Sequence, residues 1–240
     1  MQRSITTLII LMLILNLCQA QHYQHFTSWN RVLIQKKISQ HWELSADIHW
    51  RTQNSFEGSN FNPFARELME GYRITTTYRQ KEFAFSFAPF LTHSYPLYAN
   101  AKDLTRPIRV EIRPSLLVEW TKKLTEKWTF RSRLGYEYRI FERSDGIWGD
   151  EQARVRLRLQ LRYAWTPKNT VFISEEPLYN IPPHQPANSF SQNQLYFAYN
   201  HTFTPHFAFE TGYCWNHRER ASLTEFDEEN ILQTHFIFRL

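Results

Sequence analysis

The chain has 240 residues, 28 Lys and Arg against 23 Asp and Glu, a formal net charge of +5, and 16% aromatic residues. Mean hydropathy is −0.54, and after the first twenty residues no apolar run approaches the roughly 20 needed for a spanning helix, which excludes a helical membrane protein. The positive charge comes from Arg and Glu alternating along extended segments, not from a basic block, so no nucleic-acid partner is expected.

The first residues, "MQRSITTLIILMLILNLCQAQ", carry Arg3, an apolar run from Leu8 to Leu17 and small Ala20. This is the order of a cleaved secretory signal peptide, assigned to 1–20. Cys18 does not mark a lipoprotein, because Leu17 stands where such signals carry a small residue. In the remaining 21–240, Cys214 is the one cysteine, so stability cannot come from an internal disulfide.

From there period-two alternation dominates. The opening segment, about 26–38 with its "RVLIQ", is apolar on both faces and is the least certain strand. In "HWELSADIHWRTQ", Trp42, Leu44, Ala46, Ile48 and Trp50 oppose Glu43, Ser45, Asp47, His49 and Arg51. Phe83, Phe85 and Phe87 repeat the scheme. "RPIRVEIRPSLLVEW" sets Ile108, Val110, Ile112 and Val118 against Arg109, Glu111, Arg113 and Glu119, with Pro114, like Pro89, suggesting a bulge. "KWTFRSRLGYEYRI" sets Trp128, Phe130, Leu134 and Tyr136 against Arg131, Arg133, Glu137 and Arg139. The cleanest segment is "RVRLRLQLRY", with Arg154, Arg156, Arg158 and Arg162 on one face and Val155, Leu157, Leu159 and Leu161 on the other. Leu195, Phe197 and Tyr199, then Phe207, Phe209, Tyr213 and Trp215, continue the pattern, and "LQTHFIFRL" closes the chain.

Tight links at 79–82, 121–127, 166–169 and 204–206 alternate with long polar ones near 54–66, 96–105, 143–150, 178–189 and 218–228. That alternation is expected of an antiparallel transmembrane β-barrel with short periplasmic turns and longer outer loops. A soluble two-sheet sandwich also alternates. Its strands are nearer five or six residues than the 12 to 15 read here, however, and it has no reason to set aromatics beside every short turn. The interface aromatics are therefore taken as Trp42, Trp120, Trp128 and Trp165. The enclosed face takes Arg109, Arg113, Arg131, Arg133, Arg154, Arg156, Arg158, Arg162, Glu111, Glu119, Glu137 and Glu210. The same face takes Arg73, Arg79, Arg239, Glu43 and Asp47. Eleven segments are legible where single-chain bacterial barrels have an even number, so ten or twelve strands are expected, with both chain ends on the periplasmic side.

No catalytic constellation emerges. His93 and Ser94 are adjacent and so point to opposite faces, and His217 and Ser222 are read as loop residues. One of Glu175 and Glu176 is expected to meet the arginines of the preceding strand. The histidines show no tight ligand spacing, and no metal or cofactor is expected. The motifs "HWR" (Trp50, Arg51), "RVEIRPSL", "GYEYR" at 135–139, the Arg–Leu strand, "ISEEP" (Glu175, Glu176) and "TGYCW" (Gly212, Tyr213), with Trp29 near the start, resemble a family of exported bacterial outer-membrane proteins of unknown function. The resemblance implies a barrel in the outer membrane of a Gram-negative bacterium and supplies no activity. The partners expected are outer-membrane lipid and the barrel-assembly machinery during insertion. The reading is a non-enzymatic structural barrel or a narrow anion-preferring passage, with a lipid-modifying hydrolase and a soluble periplasmic β-protein as rivals.

Overall fold

A computed structural model describes residues 20–57, 61–143, 145–182 and 186–240, so the signal peptide expected at 1–20 lies, Ala20 apart, outside the described residues. The alternating segments form thirteen strands in one sheet that closes on itself. They are β1 (Gln21–Lys37), β2 (Trp42–Gln53), β3 (Arg66–Gln80), β4 (Phe83–Phe87), β5 (Phe90–Ser94), β6 (Arg109–Arg113) and β7 (Ser115–Lys123). The remainder are β8 (Trp128–Glu142), β9 (Trp148–Thr166), β10 (Asn169–Ile181), β11 (Phe190–Thr204), β12 (Phe207–Glu219) and β13 (Glu225–Arg239).

Two wall strands are broken by proline, as the sequence suggested. β4 and β5 both pair with β3 across a gap at Ala88–Pro89, and β6 and β7 both pair with β8 across Pro114. Proline has no N–H for the ladder. The interrupted ladders are nevertheless bridged by Ile74 N donating to Pro89 O (3.3 Å), Ala88 N to Ser115 O (2.9 Å) and Tyr138 N to Pro114 O (3.0 Å). The thirteen strands therefore occupy eleven wall positions.

Eleven wall positions lie within the ten to twelve strands expected, but their number is odd and not even. The ambiguous first segment is a wall strand, and among the described residues no loop holds a twelfth. With up-and-down connections, eleven strands leave the first and last pointing the same way, and β1 pairs with β13 in parallel, from Gln21 opposite Glu225 to Gln35 opposite Arg239. The barrel is antiparallel everywhere else. Gln21 consequently lies among the long loops, while Leu240 lies with the short turns, donating its N–H to Gln35 O at 2.9 Å. The two ends of the barrel chain are on opposite rims, not on the same one.

The seam register makes a specific prediction. Val32 and Phe236 are direct partners, so a Val32→Cys, Phe236→Cys pair is expected to oxidise to a disulfide visible as a gel shift under non-reducing conditions. Val32→Cys with Leu232→Cys, four residues further along β13, is expected not to. Equal cross-linking of both pairs would refute the parallel closure.

The greasy face of each strand points outward. Leu134, Leu116, Ile74, Phe197, Leu157 and Leu159 are all exposed on the outer wall. At the turn end the outer wall carries a belt of rings in contact: Trp42 with Tyr78 (5.1 Å), Trp128 with Tyr163 (4.8 Å), Trp165 with Tyr199 (5.7 Å), Phe203 with Phe207 (5.4 Å) and Phe207 with Phe238 (5.2 Å). Trp120 joins it through Phe130. Its Nε1 donates to Glu82 (3.1 Å), and with Lys122 this holds the Glu82 carboxyl below its usual range. Towards the loop end the outer wall becomes polar at Glu70, opposite His93, and at Glu175, which accepts from Asn193 at 3.0 Å. From Tyr78 to Glu70 on β3 the chain rises about 26 Å at ~3.3 Å per residue. At a tilt of about 40° this gives an apolar band some 20 Å high, close to that of membrane barrels.

A charged lumen

Alternation puts the guanidinium side of every strand inside, where burial favours the pairing of charges. Four carboxylates serve as hubs. Asp47 on β2 is fully buried and accepts from Arg31 Nη2 (3.1 Å), Arg73 Nη2 (2.9 Å) and His49. Glu111 on β6 is gripped by two forks, Arg113 through Nε and Nη2 (2.6 and 3.0 Å) and Arg139 likewise (2.7 and 2.8 Å). Glu137 on β8 accepts from Arg154 (2.8 and 2.5 Å) and from Arg156 Nη1 (2.8 Å). Glu176 on β10 accepts from Arg156 Nε (2.6 Å), Arg158 Nε and Nη2 (2.9 and 2.5 Å) and Arg133 Nη2 (3.5 Å). Arg156 thereby ties β8 to β10 across β9.

The opposite side of the interior is apolar. Trp29, Phe172, Tyr196, Ala198, Cys214 and Ile231 form one buried cluster on β1 and β10 to β13. Gly212 sits here without a side chain because a Cβ would stand 2.2 Å from Phe197 O. Arginines lie flat on these rings and on Phe141: Arg51 over Trp29 at 3.6 Å, Arg162 over Phe172 at 4.6 Å and Arg109 over Phe141 at 4.1 Å. Such stacking gives a desolvated guanidinium a partner without neutralising it.

Between the two sides runs a cavity of about 1350 Å³. All twelve residues assigned to the enclosed face from sequence line it, as does Arg73. Asp47 lies in the wall behind. Arg79 and Glu43 instead pair at the turn rim at 3.4 Å. The inward set continues past the register shift between Arg139 and Phe141, and both of these side chains line the lumen. Of the adjacent acids, Glu176 is the inward one and Glu175 faces out.

The rim at the loop end is where sequence reading fell shortest. The stretch near 218–228 is strand up to Glu219 and again from Glu225, so His217 is a wall residue and not a loop residue. Acids on consecutive positions concealed the alternation. Asp227 turns inward to His25 (2.9 Å) and Arg220 (2.5 Å), Glu229 turns inward to Arg218 (2.9 Å), and Glu228, opposite His217, turns to the other face. Arg220, in the β12–β13 loop, loses solvation there, yet its hydrogen bonds to Asp227 raise its pKa. The long loop after β5 folds over the mouth through Gln53, which donates to Pro96 O (2.8 Å) and accepts from Tyr98 N (3.0 Å). A 3₁₀ turn at Ala101–Thr105 follows, capped by Asn100 and Asp103. Ser94 lines the cavity while His93 faces outward, and Ser222 lines the mouth while His217 faces outward.

A closed β-barrel with an apolar exterior and an arginine-rich interior is therefore what this sequence encodes. The chain belongs to the family described as "Protein of unknown function (DUF2490)", whose profile matches residues 26–227. No curated protein matches it. Among solved structures it is similar to a NanC porin in a rhombohedral crystal form, at 11% identity and a TM-score of 0.49, with 86% of this chain and 94% of that one covered.

Proposed function

We propose that the chain is a non-enzymatic barrel of the outer membrane whose lumen passes small anionic solutes. The observation that carries this is the charge balance of the cavity, lined by sixteen arginines and ten acidic residues. The hub carboxylates hold part of the arginine set in a fixed framework. Besides Arg51 and Arg109, which stack on rings, Arg131 and Arg162 are left over: among the described residues neither has a carboxylate within ion-pair distance, and Arg162 is bonded to the neutral Gln160 (3.2 Å). Two uncompensated guanidinium groups on adjacent strands, enclosed by low-dielectric walls, concentrate anions locally. The exposed outer leucines and the turn-side aromatic belt support a lipid surround.

Planar-bilayer recording in a salt gradient tests this. The expected reversal potential has the sign of an anion-preferring pore, and Arg131→Glu with Arg162→Glu is expected to reduce or reverse it while leaving heat-modifiable gel mobility intact. A cation-preferring wild type would overturn the passage. A wild type without conductance would leave only the structural role for the network.

A further inference from the structure

We infer that His22, His217 and Glu228 form a zinc site on the outer face of the parallel seam, beside the loop rim. The three residues come from β1, β12 and β13. His22 Nδ1 lies 3.0 Å and His217 Nδ1 2.6 Å from the same oxygen, Glu228 Oε1. The other oxygen, Oε2, is buried with no hydrogen-bond partner among the described residues, on a side chain only 8% exposed. A carboxylate so enclosed, with one oxygen shared by two imidazoles and the other orphaned, is under-satisfied by protein groups alone.

Two imidazoles and one carboxylate are the three-ligand set of open zinc sites. The candidate ligand atoms already lie within 4.8 Å of one another, against edges of about 3.3 Å for tetrahedral zinc with bonds of ~2.0–2.1 Å. His22 is half exposed at the start of its strand and can close that gap by side-chain rotation. Both rings are steered by stacking on Phe226, at 5.3 Å for His22 and 4.8 Å for His217. The bound ion would clasp the one pair of neighbouring wall strands that no turn or loop joins. Closing that long separation by a local cross-link removes much of the freedom of the open chain.

The test uses the purified barrel, stripped with chelator and titrated with zinc against a chromophoric competitor. One zinc per chain is expected, with affinity lower by at least roughly a hundredfold in His217→Ala and Glu228→Gln. Cobalt substitution is expected to give the intense visible bands of a tetrahedral site, absent in both variants. His22→Ala, at an exposed strand end, guards against misfolding of the others and is expected to weaken binding while heat-modifiable mobility is unchanged. Wild-type uptake no tighter than that of the His22→Ala, His217→Ala double variant, or binding unaffected by Glu228→Gln in a folded barrel, would overturn the site.

Discussion

Glu176→Ala is expected to destabilise the barrel by about 3–5 kcal/mol, the cost of breaking a buried charge network from one side. The carboxylate is 2% exposed and shared by Arg133, Arg156 and Arg158. Arg133 and Arg158 are moreover direct cross-strand partners on β8 and β9. Without Glu176 their like charges face each other with nothing between, and Arg156 keeps only Glu137. Urea unfolding in lipid, followed by heat-modifiable mobility, measures the loss. Glu175→Ala is the internal control: that side chain is exposed and accepts a hydrogen bond from Asn193, so a change within about 0.5 kcal/mol is expected. Combining Glu176→Ala with Arg156→Met and Arg158→Met should recover part of the loss, because what destabilises is the stranded charge and not the missing bond. Equal effects of Glu175→Ala and Glu176→Ala would show that the inward assignment is wrong.

Leu134→Arg is expected to cost about 2–4 kcal/mol in a bilayer, the penalty for a cation on the lipid side near mid-height. Leu134 is 56% exposed on the outer wall beside Leu157. On a face bathed in water the same substitution would change stability by no more than about 0.5 kcal/mol. The measurement therefore separates a lipid-surrounded barrel from a soluble one by several kcal/mol. The same replacement at Leu124, exposed in the short turn after β7, lies beyond the apolar band and should cost little. A graded penalty that peaks at Leu134 and fades at Leu124 would locate the hydrocarbon on the barrel directly. A flat profile would remove it.

The sequence by itself determined which face of each strand is enclosed. A period of two admits only two registers, and turning Arg154, Arg156 and Arg158 towards lipid is prohibitive, so all twelve enclosed-face residues were legible from alternation. The belt at the turns was legible for the same reason. Alternation is a local property and is silent on three matters that depend on residues far apart. It could not say that the ambiguous "RVLIQ" segment is a wall strand, because Leu33 and Trp29 are apolar yet buried, Trp29 in a cluster supplied by four other strands. Nor could it show that Glu176, and not Glu175, joins the arginines of two other strands, or that consecutive acids at 227–229 divide between the two faces. Only the tertiary structure decided the parallel seam, since closing an odd number of strands is a condition on the whole sheet and on no single segment of it. That closure brings His22 to Glu228 across 206 positions of chain, a proximity that no spacing rule along the sequence could reveal.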